Sequence, residues 1–290
     1  MARGSAAQSR RPRVGLALSG GAARGVAHVG VLKVLEEHGV EVDCVAGTSA
    51  GALVGGAYAA GMPVAMLEEF GLSLRWRDFG KVTLSRLGVQ SNERLGEYVR
   101  AAFPVARFED LPKPFAAVAT DLHTGGAVVM RDEGDLAFAI RASCAVPGWY
   151  VPVVDEQGRQ LVDGGLVANL PVSVVRSLGA EVVIAVDVNY EGAAFLGPPT
   201  SVVGVLLQSF ILVQRAAVSH QRNLADVCIS PRVGHIRWDE MTRGPEFIKA
   251  GEEAARAAMP AIKELLEPSP QEPSGWLPFR RRRDKEPARP

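Results

Sequence analysis

The chain of 290 residues is 47% hydrophobic and 22% charged, and its 32 basic residues balance 32 acidic ones. That composition excludes a disordered or fibrous chain and gives no overall charge bias toward nucleic acid. Three widely spaced cysteines, Cys44, Cys144 and Cys228, form no CxxC pair, which argues against a disulfide framework and a zinc site and for reduced thiols in the cytoplasm.

Residues 1–13 are rich in Ser and Arg, and 268–290 in Pro and Arg, without apolar periodicity. Both read as disordered tails around one domain at 14–267. No signal-peptide pattern opens the chain, so secretion is not expected. The run Arg280 to Arg283, near Trp276 and Phe279, could contact an anionic membrane surface, although a solubilising tail is the simpler reading. Within the domain, VGLAL at 14–18 predicts a strand, Ser19-Gly20-Gly21 a turn, and Val26 to His38 a helix. A second strand is expected at 40–46, followed by the turn GTSAG at 47–51 and a helix from Ala52 to Ala60. This βαβα opening with short loops predicts a parallel sheet with both turns at its carboxyl edge, where open α/β sheets bind ligands.

Helices are expected at 64–75 and 91–103, the second capped by Ser91, with a covering loop around Gly80 and Gly88 between them. Strands are expected at 115–120 and 126–130, a helix at 134–142, a break at Pro147-Gly148, and strands near 150–154 and at 160–163, the last ending at Asp163-Gly164-Gly165. A helix from Pro171, a buried strand at 181–186 ending at Asp187, helices at 201–218 and 245–266, and a short strand at 226–230 complete the domain. Residues 202–218 are apolar but interrupted by Gln208, Ser209, Gln214 and Arg215, and fall short of the about 20 residues of a spanning helix. They are read as a core helix first, a homodimer seam second and an interfacial helix third.

The turns carry the chemistry. GTSAG has the Gly-x-Ser-x-Gly pattern of a nucleophile elbow, in which Gly47 and Gly51 remove Cβ clashes so that the Ser49 hydroxyl can stand clear of the sheet. Taken alone, the same pattern also fits a helix N-cap. One βα unit earlier, Gly20-Gly21-Ala22-Ala23-Arg24-Gly25 could turn backbone N–H groups toward the same pocket, as an oxyanion hole requires. A dinucleotide loop fits poorly, because Ala22 replaces the middle glycine and the next strand ends in GTSAG rather than in an acidic residue. His28, His38, His123, His220 and His235 all lie where structural or solvated roles are expected. Asp163 ends a strand at the converging edge, so it could serve as the base, or mark a plain turn. No EF-hand loop or His-Glu-x-x-His motif occurs, and neither metal nor cofactor is expected.

Four blocks in this order resemble those of the bacterial patatin-like phospholipases: LSGGAARGVAHVGVL (18–32), GTSAGALVG (47–55), RASCAVPGWYVPV (141–153) and VDGGLVANLPV (162–172). The resemblance covers about residues 13–266. It implies a three-layer α/β sandwich with a mostly parallel sheet, and a serine lipid acyl hydrolase of phospholipase A, lysophospholipase or esterase type. It further implies a Ser49–Asp163 dyad without histidine, an oxyanion segment at Gly20, Gly21 and Ala22 followed by Arg24 and Gly25, and Gly164 and Gly165 supporting the aspartate turn. A phospholipid or other lipid ester is the implied substrate, with peripheral contact at the inner face of the membrane. Acyl transfer by the same dyad, or lipid binding without turnover, are the alternatives. The family usually has glycine at the position of Ala22, and a positive φ there would cost an alanine about 1 kcal/mol or more.

Overall fold

The computed structural model describes residues 10–190 and 198–267, so most of both predicted tails, 1–9 and 268–290, lies outside the described residues. Arg10 to Arg13, read as part of a disordered tail, are held in place. Arg11 pairs with Asp43 and Glu41, Arg10 with Glu181, and the Arg13 N–H donates to Glu181.

In chain order the regular elements are β1 (Val14–Leu18), α1 (Ala27–Glu37), β2 (Cys44–Thr48), α2 (Ala50–Ala59), α3 (Val64–Ser73), β3 (Lys81–Val82), β4 (Gly88–Ser91) and α4 (Glu93–Ala102). They continue with β5 (Phe115–Asp121), β6 (Ala127–Arg131), α5 (Leu136–Ser143), β7 (Gly148–Tyr150), β8 (Val153–Val154), β9 (Gln160–Asp163), α6 (Val172–Ser177), β10 (Val182–Val186), α7 (Val202–Arg222), β11 (Val227–Ile229) and α8 (Gly244–Leu266). The main sheet has the order β11-β10-β1-β2-β5-β9-β8, with β6 also on β5; β3, β4 and β7 form a second, small sheet. From β11 to β5 all neighbours are parallel, and β5, β6, β8 and β9 pair antiparallel.

Every residue of β1, β2, β5 and β10 is buried, as expected of strands covered on both faces. Side chains alternate between two cores. Val14, Leu16 and Leu18 join the larger one with α1, α2 and α8, while Ala17 joins the smaller one with α6. This is the three-layer sandwich.

The differences from expectation lie at element ends. The second strand begins at Cys44 rather than at 40, because Asp43 turns its carboxylate back to accept from Val14 N–H and Arg11. It also runs on through Gly47 and Thr48, which pair with Ala117 and Val118 of β5, so the GTSAG turn shrinks to Ser49 itself. Ser91 ends β4 instead of capping a helix, although its hydroxyl still accepts from Glu93 N–H at 3.3 Å. The covering loop around Gly80 and Gly88 contains the β3–β4 hairpin, and the strand expected near 150–154 is two short strands, one in each sheet.

The register on β5 positions the site. Thr48, the last residue of β2, lies opposite Val118, and Asp163, the last residue of β9, lies opposite Ala119. Because β6 occupies the other edge of β5, β2 and β9 share one edge and approach end to end. Two chain ends distant in sequence therefore meet at consecutive β5 residues.

Helices α1 and α8 pack through two glycines. A Cβ on Gly30 would stand 2.0 Å from Ile248 O, and one on Gly251 2.0 Å from Ala27 O. In an ordinary helix Gly→Ala gains about 1 kcal/mol. Here the clash is with backbone that cannot yield cheaply, so Gly251→Ala should instead destabilise by about 1–3 kcal/mol, read as a lower denaturation midpoint.

Candidate active site

Ser49 follows β2 directly and sits at φ 54, ψ −121, a left-handed conformation that costs a non-glycine residue about 1–3 kcal/mol. Two hydrogen bonds through the Ser143 hydroxyl hold it there. Its N–H donates to Ser143 Oγ at 2.8 Å, and the Ser143 hydroxyl donates to Val118 O at 2.6 Å. The glycines around the turns are points of close approach. An added Cβ would stand 2.2 Å from Gly51 O at Gly47, 2.3 Å from Leu18 O at Gly51, 2.4 Å from Ala50 Cβ at Gly25 and 2.2 Å from Val118 O at Gly164.

Asp163 is completely buried. Its backbone is fixed by the N–H donating to Ala145 O at 2.9 Å and by its carbonyl accepting from Thr120 Oγ1 at 2.9 Å. Carboxylate oxygen Oδ1 accepts from Gly165 N–H at 2.8 Å, while Oδ2 has no hydrogen-bond partner among the described residues. Burial raises this carboxyl to about 7, against the opposing pull of the Ser49 hydroxyl and the Gly165 N–H. The Ser49 hydroxyl is thus within reach of the acid without closing a hydrogen bond of ordinary geometry on Oδ2.

Ser49, Asp163, Gly21, Ala22 and Arg24 line one cavity of about 70 Å³, walled by Leu207, Phe210 and Ile211 of α7 and by Trp238. A second cavity of about 70 Å³ also begins at Ser49 and runs between apolar side chains including Leu53, Val54, Leu74 and Phe79. None of the five histidines lines either one. His28 is fully buried, donates from Nε2 to Ser19 O at 2.9 Å, and is pushed down to about 4 by that burial. Among the described residues no cluster of His, Cys, Asp and Glu could hold a metal.

The glycine-rich segment differs in one detail from the expected donor set. Gly20 N–H is spent on Asn169 O at 3.2 Å, whereas no hydrogen bond among the described residues engages the N–H groups of Gly21 and Ala22. Ala22 has φ 50, so the strain anticipated for an alanine at this position is present. Arg24 is buried and its Nε and Nη2 donate to Ile236 O, which braces the segment from behind. Asp187 does not reach the cavity; it pairs with Arg222 at 2.7 Å and accepts from Asn189 N–H, and Asn189 in turn donates to Gly20 O.

Residues 16–176 match the family model described as patatin-like phospholipase. The chain belongs to the patatin-like phospholipase family. Similar curated proteins include an uncharacterized NTE family protein of Mycobacterium tuberculosis, 41% identical over 187 residues covering 62% of this chain and 50% of that protein. A lysophospholipase of Mycosarcoma maydis is 39% identical over 60% of this patatin-like chain and 10% of its own length. The human patatin-like phospholipase domain-containing protein 6 is 36% identical over 60% of this chain and 13% of its own length. The matched region thus spans half or less of these relatives. The crystal structure of VipD from Legionella pneumophila superposes with TM-score 0.51 at 14% identity, covering 88% of this chain and 67% of that one, a likeness of fold.

Sequence reasoning assigned no role to Ser143, Asn169, Asn189 or Gln214. Ser143 and Asn169 lie inside two of the four patatin-like blocks, and in the sequence Gln214 is only a polar break in an apolar stretch. Its side chain, nearly buried, points inward: Nε2 donates to Asn169 Oδ1 at 3.2 Å, and a Cβ on Gly165 would stand 1.9 Å from it.

Two outcomes follow from this geometry. Ser143→Ala strands the Ser49 N–H and should cost about 1–3 kcal/mol of stability, measured by denaturant titration. The raised Asp163 carboxyl means that the folded chain retains a proton the unfolded chain releases near 4, so stability falls as pH rises from about 4 to about 7. Asp163→Asn removes that penalty, and its gain in unfolding free energy over wild type, read by denaturant titration, should be larger at pH 8 than at pH 4 by at most roughly 4 kcal/mol.

Proposed function

We propose that the chain is a serine-dependent lipid acyl hydrolase working through Ser49 and Asp163. The observation that carries this reading is the juxtaposition of a strained, cavity-facing serine with a buried carboxylate whose Oδ2 is unpartnered, in a site that no histidine lines. Ser49 Oγ attacks the acyl carbonyl and its proton passes to Asp163, in an apolar setting that has already raised the basicity of the carboxylate. Gly21 and Ala22 N–H groups stabilise the oxyanion. As the tetrahedral intermediate collapses, the bond to the leaving alcohol breaks and Asp163 returns the proton to it. Water, deprotonated by the same carboxylate, then attacks the acyl carbon, and as the bond to Ser49 Oγ breaks Asp163 returns the proton to that oxygen, freeing the carboxylic acid and the serine.

The walls support a lipid substrate. Of the two cavities that meet at Ser49, the second is lined almost wholly by aliphatic and aromatic side chains and suits an acyl chain, while the first mixes such side chains with polar ones and suits the alcohol portion. Acyl transfer to an alcohol in place of water would use the same groups. The family membership and the lysophospholipase relative support an ester of a lipid rather than a peptide.

A fluorophosphonate probe should label Ser49 in the wild type, fail on Ser49→Ala, and label Asp163→Asn at least about 100-fold more slowly. Because Asp163 must be ionised to accept the proton, kcat/KM for a soluble ester should fall tenfold per pH unit below about 7 and level off above it. Full activity in Ser49→Ala, or a pH-independent rate between 5 and 8, would sink the mechanism.

A further inference from the structure

Helix α7 has its polarity reversed for a surface helix. Its inward side carries Gln214, which reaches Asn169, and Gln221 and Arg222, which reach Leu170 N–H, Val167 O and Asp187. Its outward side presents Val202, Val205, Leu206, Leu212 and Val213, all between 47% and 78% exposed, at the spacing of one helical stripe. By length and composition α7 could cross a membrane. Its inward polar bonds and its place in the wall of the Ser49 cavity tie it to the domain instead. The core-helix reading is corrected, because only Phe210, Gln214 and Val218 of its 21 residues are buried.

A second apolar surface adjoins the first. On the β3–β4 hairpin Leu84 is fully exposed, Val82 is 73% exposed and Leu87 56%. Strand β7 connects the two surfaces. It pairs with β4 at Gly88 and Gly148, and on its other side the Leu206 side chain rests against Gly148. At this junction lies a cavity of about 230 Å³ that shares Ala22, Val146, Leu207 and Trp238 with the Ser49 cavity and is walled otherwise by Trp76, Trp149, Tyr150 and Asp239.

We infer that the outward stripe of α7, together with the β3–β4 hairpin, is a docking face for an anionic lipid surface. Charge selects the occupant. Neither α7 nor residues 79–92 contain a single Asp or Glu, while Lys81, Arg86 and Arg215 on these same segments are exposed. A second copy of the chain would set like charge against like charge across such a face, whereas acidic headgroups neutralise it and acyl chains accept the leucines and valines. The opposite side of the same helix walls the Ser49 cavity, so a bilayer seated here lies one helix thickness from the serine. The benefit of this arrangement rests on the lipid-hydrolase reading, but docking can be measured without catalysis.

The test uses the full chain carrying Ser49→Ala, co-sedimented with vesicles of phosphatidylglycerol or of phosphatidylcholine. Binding should be at least about tenfold tighter to the anionic vesicles and should weaken with salt. Adding Val205→Ser with Leu212→Ser, or separately Leu84→Ser with Leu87→Ser, should each weaken it by about tenfold or more. With Ser49 restored, the same pairs should leave turnover of a monomeric soluble ester unchanged and lower turnover of vesicle lipid. Vesicle binding indifferent to both pairs would overturn the inference. So would sedimentation equilibrium showing that the α7 pair converts a dimer to monomer while vesicle binding persists, since the stripe would then be a seam between copies. Loss of vesicle binding in both pairs, with no ester turnover in the Ser49 chain, would uphold the docking face and sink the hydrolase reading alone.

Discussion

The end-to-end meeting of β2 and β9 along one edge of β5 is the constraint on which the rest of the site depends. A parallel strand and an antiparallel strand stop at Val118 and Ala119, and at that gap the sheet has no further ladder bonds to offer. Val118 O is taken up by the Ser143 hydroxyl, which in turn accepts from Ser49, and two residues further on Ala145 O receives the Asp163 N–H. One short turn at the end of α5 thus fixes the backbone of both residues. The strain at Ser49 persists because a hydrogen bond and close glycine contacts leave it no relaxed alternative. The buried carboxyl persists because its Oδ1 and both of its backbone polar groups are satisfied, and only Oδ2 has no partner among the described residues.

The same gap explains why α7 belongs to the site although it is remote in sequence. The Asp163-Gly164-Gly165 turn has room above Gly165 for one amide, and Gln214 fills it. The helix that walls the cavity is therefore anchored on the turn that carries the acid. Its other anchor, Arg222 on Asp187, joins the turn whose Asn189 holds Gly20 O. Both ends of the site, the Asp163 turn and the glycine-rich segment, are braced by one helix.

Much of this was legible in the sequence, and what was not has a physical reason. The strand-turn-helix order around Gly20 and Ser49 is local, since short apolar runs followed by glycine-rich turns encode it, and the parallel sheet and carboxyl-edge location follow from that order. Strand ends were misplaced where a side chain from elsewhere decided them, as Asp43 does for β2. The antiparallel direction of β9 had no local signal because it depends on which edge of β5 remains open. The apolar run at 202–218 was legible as a helix, but its orientation was not: Gln214 reads as an interruption until Asn169 and Gly165 are seen to receive it. Ser143 and Asn169 stood within recognised blocks, yet a hydroxyl or an amide gains a role only from the backbone atom that it meets in the folded chain.

The long sequence spans that converge on β5 also have a consequence in time. Chains fold as they emerge, amino-terminal elements first, and contacts across long separations close last. Ser49 waits for Ser143, 94 residues later, before its backbone is held, and Thr48 waits for Ala168, 120 residues later, whose carbonyl accepts its hydroxyl. Ser49 therefore leaves the ribosome well before Asp163. Until those later segments arrive, the turn at Ser49 lacks the contacts that hold its backbone in place.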